Sequence, residues 1–596
     1  NNKIVGAVDT ASLRTSASNI ALGNLAGNTS QGSEAVAVGK SAGQTTQGIS
    51  AVAIGYRAGY TTQGISAVAI GNDTGKTTQG ASAVAVGPYA GETNQGTKAV
   101  ATGFAAGYTT QGGSAVAVGN LAGETNQSGY AVAIGANAGQ TTQGAQAIAL
   151  GTQAGGTTQG DYGIAIGSDA GLTTQGSTAV AVGFEAGKTN QGQLSVAVGN
   201  LAGQTTQGGS AVAIGNNAGY SDQVDKAVAI GYYAGRTTQG QYGVAIGSDA
   251  GRTTQGANSV AVGYQAGYTT QGASSVAIGN NAGYTGQTEY GIAVGFNAGN
   301  TTQGTKAIAI GNGAGKTTQG VDAVAIGTSA GSDTQSLESI AIGKQAGQGA
   351  TATATYVSGG EVSEVMVVDS TTNIIVGMRV TGTGFTYATL EQQQRVVSVN
   401  NATTVTLSEV SNDGTPSGTL TFKSAQDDYA VAIGSSAGQT SQGNNAVAVG
   451  NDAGKTNQGK DSIAIGSDAG NADQGNGSIA IGDYAGTTTQ GGAAIAIGDS
   501  AGSLRQSYNG TAVGWFAGYS DQGNQSVAIG AQAGSVTQGT KAIAIGYRAG
   551  QTSQAANSIV LNATGLALNN TTASSLRIKP IRNATMTTIL GYDVGT

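Results

Sequence analysis

Neither cysteine nor histidine occurs among the 596 residues. Disulfide stapling is thereby excluded, and so are a Cys/His metal site and a His-based catalytic triad. Charge is also scarce. Only 9% of residues are charged, the net charge is -7, and no run of like charge occurs. Phosphate binding needs clustered Lys and Arg, so a nucleic-acid partner is not expected. No apolar run reaches the length of a membrane-spanning helix, so membrane insertion by a helix is not expected either. The sequence opens Asn1-Asn2-Lys3 with neither a methionine nor a signal-peptide pattern, from which processing or a longer parent chain is expected.

What the chain has instead is glycine, 104 residues of it, in strict register with β-branched residues. The phrase A-V-A-I-G-x-x-A-G-x-T-T-Q-G-x-x recurs every 16 residues, about thirty times, from Asn19 to Ser339 and again from Ala430 to Ser558. A fixed short period without small insertions makes each repeat one coil of a stack. Counting from the first Ala, positions one to five alternate small and branched residues, which is a strand signal. Glycines at positions five, nine and often fourteen read as corners. Each coil is therefore expected to hold one strong strand, a G-x-x-A-G corner, a short T-T-Q strand and a second corner. Parallel coils about 4.8 Å apart give a shaft of roughly 145 Å.

Val and Ile at positions two and four share one side, and Ala, Ala and Gly the other. Small residues suit the inside of so thin a coil. The branched residues then form an apolar stripe that demands burial against other chains, and three copies around an axis achieve this. The rival arrangement encloses Val and Ile in a monomeric solenoid. Position thirteen is Gln in nearly every coil, for example Gln31, Gln47, Gln63, Gln79, Gln95, Gln111, Gln287, Gln426, Gln442 and Gln538. Stacked amides can bond along the axis as in cross-β ladders, or satisfy corner backbone groups within the coil. Either role is structural; the alternative is a repeating ligand surface, which is not favoured because one missing amide would leave its neighbours unpaired. Of the T-T pair, strand alternation turns only one Thr outward, which argues against a flat ice-binding array.

Residues 349–423 interrupt the repeat and are expected to be an inserted small β domain. Strands are expected at Glu364–Val368, Ile374–Thr381, Arg395–Val399, Thr403–Leu407 and Thr419–Phe422, with turns at Asn400-Asn401 and Asn412-Asp413-Gly414. The whole chain then divides into an N-terminal connector (1–18), a shaft (19–348), the insert (349–423), the continued shaft (424–562) and a tip or neck (563–596). A projecting domain is a contact-site candidate, with a mere spacer as the alternative. The 22 tyrosines concentrate at positions six, seven, ten and sixteen, as at Tyr56, Tyr60, Tyr108, Tyr232, Tyr233 and Tyr268. Glycan stacking and packing across chain boundaries are the two readings. Tyr162, Tyr242 and Tyr290 precede a Gly at position one and are expected to fold over it, and Trp515 reads as local packing. Asp169, Asp249 and Asp468 are far apart, and Asp427 and Asp428 are expected to face opposite sides. No acid/base pair results, so an enzyme is not expected, nor is a cofactor or a metal.

Seven coils read S-[VI]-A-[IV]-G, at Ser195, Ser259, Ser275, Ser339, Ser462, Ser478 and Ser526. This phrase resembles the head repeats of trimeric autotransporter adhesins of the YadA-like type. The resemblance covers roughly residues 19–348 and 430–562. It implies a left-handed parallel β-roll assembled as a homotrimer, although the period is longer here. Leu576-Arg577-Ile578-Lys579-Pro580-Ile581-Arg582-Asn583, followed by Leu590-Gly591-Tyr592, resembles the stretch ahead of the intramolecular chaperone in phage and giant-virus tail fibres. Gly377-Met378-Arg379-Val380-Thr381-Gly382-Thr383-Gly384 resembles small β modules of phage tail fibres. Together these imply an all-β, homotrimeric fibre located on the virion, outside cells. Its implied partners are itself, tail or baseplate proteins, and a host cell-surface receptor, with a glycan among the candidates. The alternative implied is a bacterial surface adhesin head.

Overall fold

The computed structural model describes residues 13–15, 18–349, 351–359, 364–372, 374, 378–383, 385, 396–408, 416–424 and 426–581. The motifs at Arg582-Asn583, Leu590-Gly591-Tyr592 and the turn expected at Asn412-Asp413-Gly414 lie outside those residues, as does most of the connector. The chain divides into two units, Asn1–Glu289 and Tyr290–Thr596. Each is a parallel β-solenoid of stacked 16-residue coils, and no helix occurs among the described residues.

In the first unit the A-V-A-I segments form one ladder, from Ile20–Leu22 to Val276–Ile278. Every pair is in register, as in Val52↔Val68, Ala53↔Ala69 and Ile54↔Ile70. A second, 12-stranded ladder stacks the position-twelve and position-thirteen residues from Ser30–Gln31 to Thr206–Gln207. Leu13–Thr15 pairs antiparallel with Ile20–Leu22 and closes that end.

The interior is small. Ala37, Ala53 and Ala69 at position three and Ala42 and Ala58 at position eight are fully buried. Where Ser replaces Ala at position one, its hydroxyl donates to the carbonyl three residues back, as Ser195 does to Gly192 (2.7 Å) and Ser259 to Gly256 (2.6 Å). The buried hydroxyl is thus satisfied. Position five requires glycine. Gly55 has φ +129°, and a Cβ there would stand 2.2 Å from the Gly71 carbonyl oxygen of the next coil. Position seven is left-handed though seldom glycine, as at Arg57 (φ 50°) and Asp73 (φ 54°).

In the second unit the ladder crosses the interruption without slipping: Ile340 pairs with Val431 and Ile342 with Ile433. Residues between form a six-stranded antiparallel sheet. Its order is Arg379–Thr383, Ser417–Lys423, Thr351–Gly359, Val365–Val368, Thr404–Leu407, Val396–Asn401. Met366, Met378, Val405, Leu407, Leu420 and Phe422 form its core. Thr351 pairs directly with Lys423, so the segment leaves and rejoins the coil on adjacent strands. That closure explains the preserved register. Asn401 Oδ1 accepts from the Thr403 N–H (2.9 Å), which makes the expected turn. Thr351–Gly359 is a strand the sequence reading missed, because alternating Thr and Ala carry little apolar signal. The described strand expected at Ile374–Thr381 begins only at Arg379.

Two further departures concern the later coils. From Asn457 onward position twelve takes left-handed φ, as at Asn457, Asp473, Thr489 and Arg505. The second strand there spans three residues, from Thr456–Gln458 to Thr552–Gln554. Beyond the repeat, Leu576–Lys579 adds one more parallel rung on Ile559–Asn562. The repeat phrase is lost before the coil geometry is.

Candidate interaction surfaces

Three surfaces follow from this geometry. The first is the inner amide column. Each Gln at position thirteen enters the coil and donates from Nε2 to the position-two carbonyl of its own coil, as Gln63 does to Val52 (2.8 Å). The same nitrogen bonds Oε1 of the next Gln, and the relay runs unbroken from Gln47 to Gln175 at 3.0–3.1 Å. The column therefore bonds both along the axis and to the backbone of the main strand, rather than to a corner as expected. Gln31 is only half-buried and donates to Ile20 (2.9 Å) and Ala35 (3.2 Å), while the buried Gln47 Oε1 accepts no bond. Gln335 donates across the interruption to Gln426 (3.3 Å). Oε1 of Gln442, Gln458 and Gln474 lacks a donor, over the coils where position twelve changes conformation. The relay then resumes through Gln538, which donates to Gln554 at 3.1 Å.

The second surface is the branched stripe. Position-four side chains remain open to solvent in both units: Ile54 38%, Ile134 37% and Ile278 40% in the first, Ile310 38% and Ile545 40% in the second. The rival arrangement, with Val and Ile enclosed, is thereby excluded for the single chain. The interior is filled by Ala, Ser and the Gln column instead.

The third surface is the corner built from positions six, seven and ten. Charges stack here along the axis. Arg57 pairs with the buried Asp73 (2.7 Å), Lys76 with Asp73 (3.6 Å) and Lys76 with Glu92 (2.9 Å). The Asp73 carboxylate raises the Arg57 pKa, and Glu92 raises that of Lys76. Glu185 and Lys188 shift apart for the same reason, with the Glu185 pKa lowered by Lys188. Aromatic and guanidinium groups alternate further along. Arg252 Cζ lies 5.1 Å from the Tyr233 ring centre and 5.3 Å from that of Tyr268, and Tyr268 stacks on Tyr284 at 4.8 Å.

Several residue-level expectations are corrected. Thr141, Thr142, Thr157 and Thr158 are all exposed, so two threonines per coil face outward here rather than one. The first sits in a bend before the short strand, where alternation does not apply. That particular ground against a threonine array therefore falls, although Asn94, Asn126 and Asn190 interrupt the position-twelve column. Tyr162 and Tyr242 do not cover the following glycine. They take left-handed φ and stand 57% and 47% exposed. Asp427 and Asp428 are both buried, in a turn rather than a strand. Asp169 faces Lys188 (3.6 Å), Asp249 holds Arg252 (3.0 Å) and Asp468 accepts from Asn471 (2.7 Å), so the three are engaged separately. Trp515 packs edge-on to Phe516 at 4.9 Å. No protein-family model, no curated protein and no solved structure matches this chain.

Proposed function

We propose that the chain forms the shaft of a homotrimeric viral tail fibre, with a phage as its source. Its work is to hold receptor-binding elements away from the particle and present them to a host surface. The observation that carries this reading is the position-four stripe, exposed at Ile54, Ile70, Ile134 and Ile214 and half-buried at Val38, Val86 and Val118. A regular apolar column of that extent calls for burial, and equivalent columns on sister copies are the matching surface. The tail-fibre-like stretch from Leu576 supports the viral assignment. Left-handed coiling is the part of this proposal that rests on the adhesin-like S-[VI]-A-[IV]-G phrase.

The segment 349–423 is proposed as an inserted domain with its own core, carried at a corner where it does not load the stack. Attachment then comes from several weak contacts multiplied by threefold symmetry and by copies per particle. No catalytic step is assigned to it. Immunogold electron microscopy with antibody against the purified chain tests the assignment. Label on appendages of virus particles is expected. Label confined to bacterial envelopes overturns it in favour of a surface adhesin.

A further inference from the structure

The corner surface contains a notch at Ala105. Position seven is occupied by Tyr89 and Leu121 in two coils, but by Ala105 in the coil between them. The missing side chain leaves a cavity of about 330 Å³ lined by Tyr89, Phe104, Ala105, Tyr108, Leu121 and Glu124. Tyr89 and Phe104 meet edge to face, with centroids 5.6 Å apart and planes at 80°. Two walls at right angles and a third ring suit a rounded guest better than a flat one, in a notch that stays open on the Phe104 side, where that ring is half exposed.

The charge of the notch is one-sided. Glu124 lines it, and no Lys or Arg does. One oxygen of Glu124 accepts from Gln140 (2.7 Å), which fixes the carboxylate. Lys76, on the same column, is held by Glu92 and Asp73. Glu92 also stands against Tyr108 and pushes the phenol pKa up. Ring faces carry negative potential, so rings and carboxylate act together on a cation. A primary ammonium would lose three water bonds there and regain few, whereas a methylated nitrogen has none to lose. Lys76 is neutralised by Glu92 and Asp73, so an anionic guest would meet no free cation among the lining residues and would face the Glu124 carboxylate.

We propose that the Tyr89–Phe104–Tyr108 notch beside Glu124 binds a quaternary ammonium group, of the trimethylammonium type found on choline-bearing surface polymers and lipids. Isothermal titration of the full chain with tetramethylammonium chloride tests it, with ammonium chloride and a neutral methyl pyranoside as parallel titrants. Saturable binding of tetramethylammonium alone is expected. Phe104→Leu should weaken it about fivefold or more, and Glu124→Gln about threefold. Ala105→Tyr should abolish it by filling the notch. That variant is compatible with the fold, because Tyr89 (φ 63°) and Tyr233 (φ 56°) already occupy position seven with the same left-handed backbone. The proposal is overturned if tetramethylammonium fails to bind, if it binds Ala105→Tyr as well as the parent, or if the pyranoside alone saturates.

Discussion

Replacing Gln63 by leucine keeps most of the side-chain volume and removes its amide. In the parent, Gln63 Nε2 donates to Val52 (2.8 Å), Ala67 (3.3 Å) and Gln79 Oε1 (3.0 Å), and its Oε1 accepts from Gln47 (3.1 Å). After substitution Gln47 keeps its own backbone acceptors, Val36 and Ala51. Gln79 Oε1 keeps nothing and is buried. An orphaned buried acceptor costs about 1–3 kcal/mol, and each net hydrogen bond lost about 1 kcal/mol, so the local loss is about 3–5 kcal/mol. Gln31→Leu is the internal control. Gln31 is half-buried and sends no bond to Gln47, whose Oε1 is already unpaired, so its loss should be about 1–2 kcal/mol. Stability in a stack is local, so a global melting point would dilute the difference. Native-state hydrogen exchange read by mass spectrometry, coil by coil, is the appropriate assay. Protection should fall more around Val52–Ile70 in Gln63→Leu than around Ile20–Val38 in Gln31→Leu. Equal losses in the two variants would refute the axial relay as a source of stability.

Other perturbations test separate parts of the account. Gly55→Ala should destabilise its coil by about 3 kcal/mol or more, because φ +129° and the Gly71 carbonyl both oppose a Cβ; exchange or soluble yield reads this. Ala53→Val should cost about 1–3 kcal/mol by overfilling the interior, measured the same way. Deleting 350–424 should leave a soluble solenoid, since Gln426 then falls one period after Gln335; loss of exchange protection at Ile340 and Val431 would contradict this. Stability should be flat between about pH 5 and pH 9, because histidine is absent. The lowered pKa values of Asp521, beside Arg505, and of Glu185, beside Lys188, add stability above the ordinary carboxylate range. That contribution is lost as the pH falls through the lowered values. The raised pKa of Lys188 acts oppositely, its contribution being lost only as the pH rises through that value. Both are small at these largely solvated sites. Chemical denaturation across pH checks it, and a step near neutrality would count against it.

Period, strand positions and the glycine corners were legible in the sequence because each coil repeats the same local constraints. That Ala and Val take opposite faces was legible too, since alternation fixes which residues share a face, but only the size of Ala spoke for placing it inside. What escaped were features without alternation or apolar signal. Thr351–Gly359 alternates Thr with Ala. The extra rung at Leu576–Lys579 follows a departure from the phrase. The left-handed conformation at Asn457 uses the same residue type that lies in a strand at Asn94 and Asn126. The notch at Ala105 is visible only when coils are stacked, because its walls come from three successive repeats.

The central claim is that the column of half-buried Val and exposed Ile is covered by sister copies. Sedimentation equilibrium of the purified chain measures this most directly. The account predicts a single species at three times 57.7 kDa, which Ile54→Glu combined with Ile70→Glu and Ile134→Glu should weaken. A monodisperse 57.7 kDa monomer with its aliphatic column in water would contradict it.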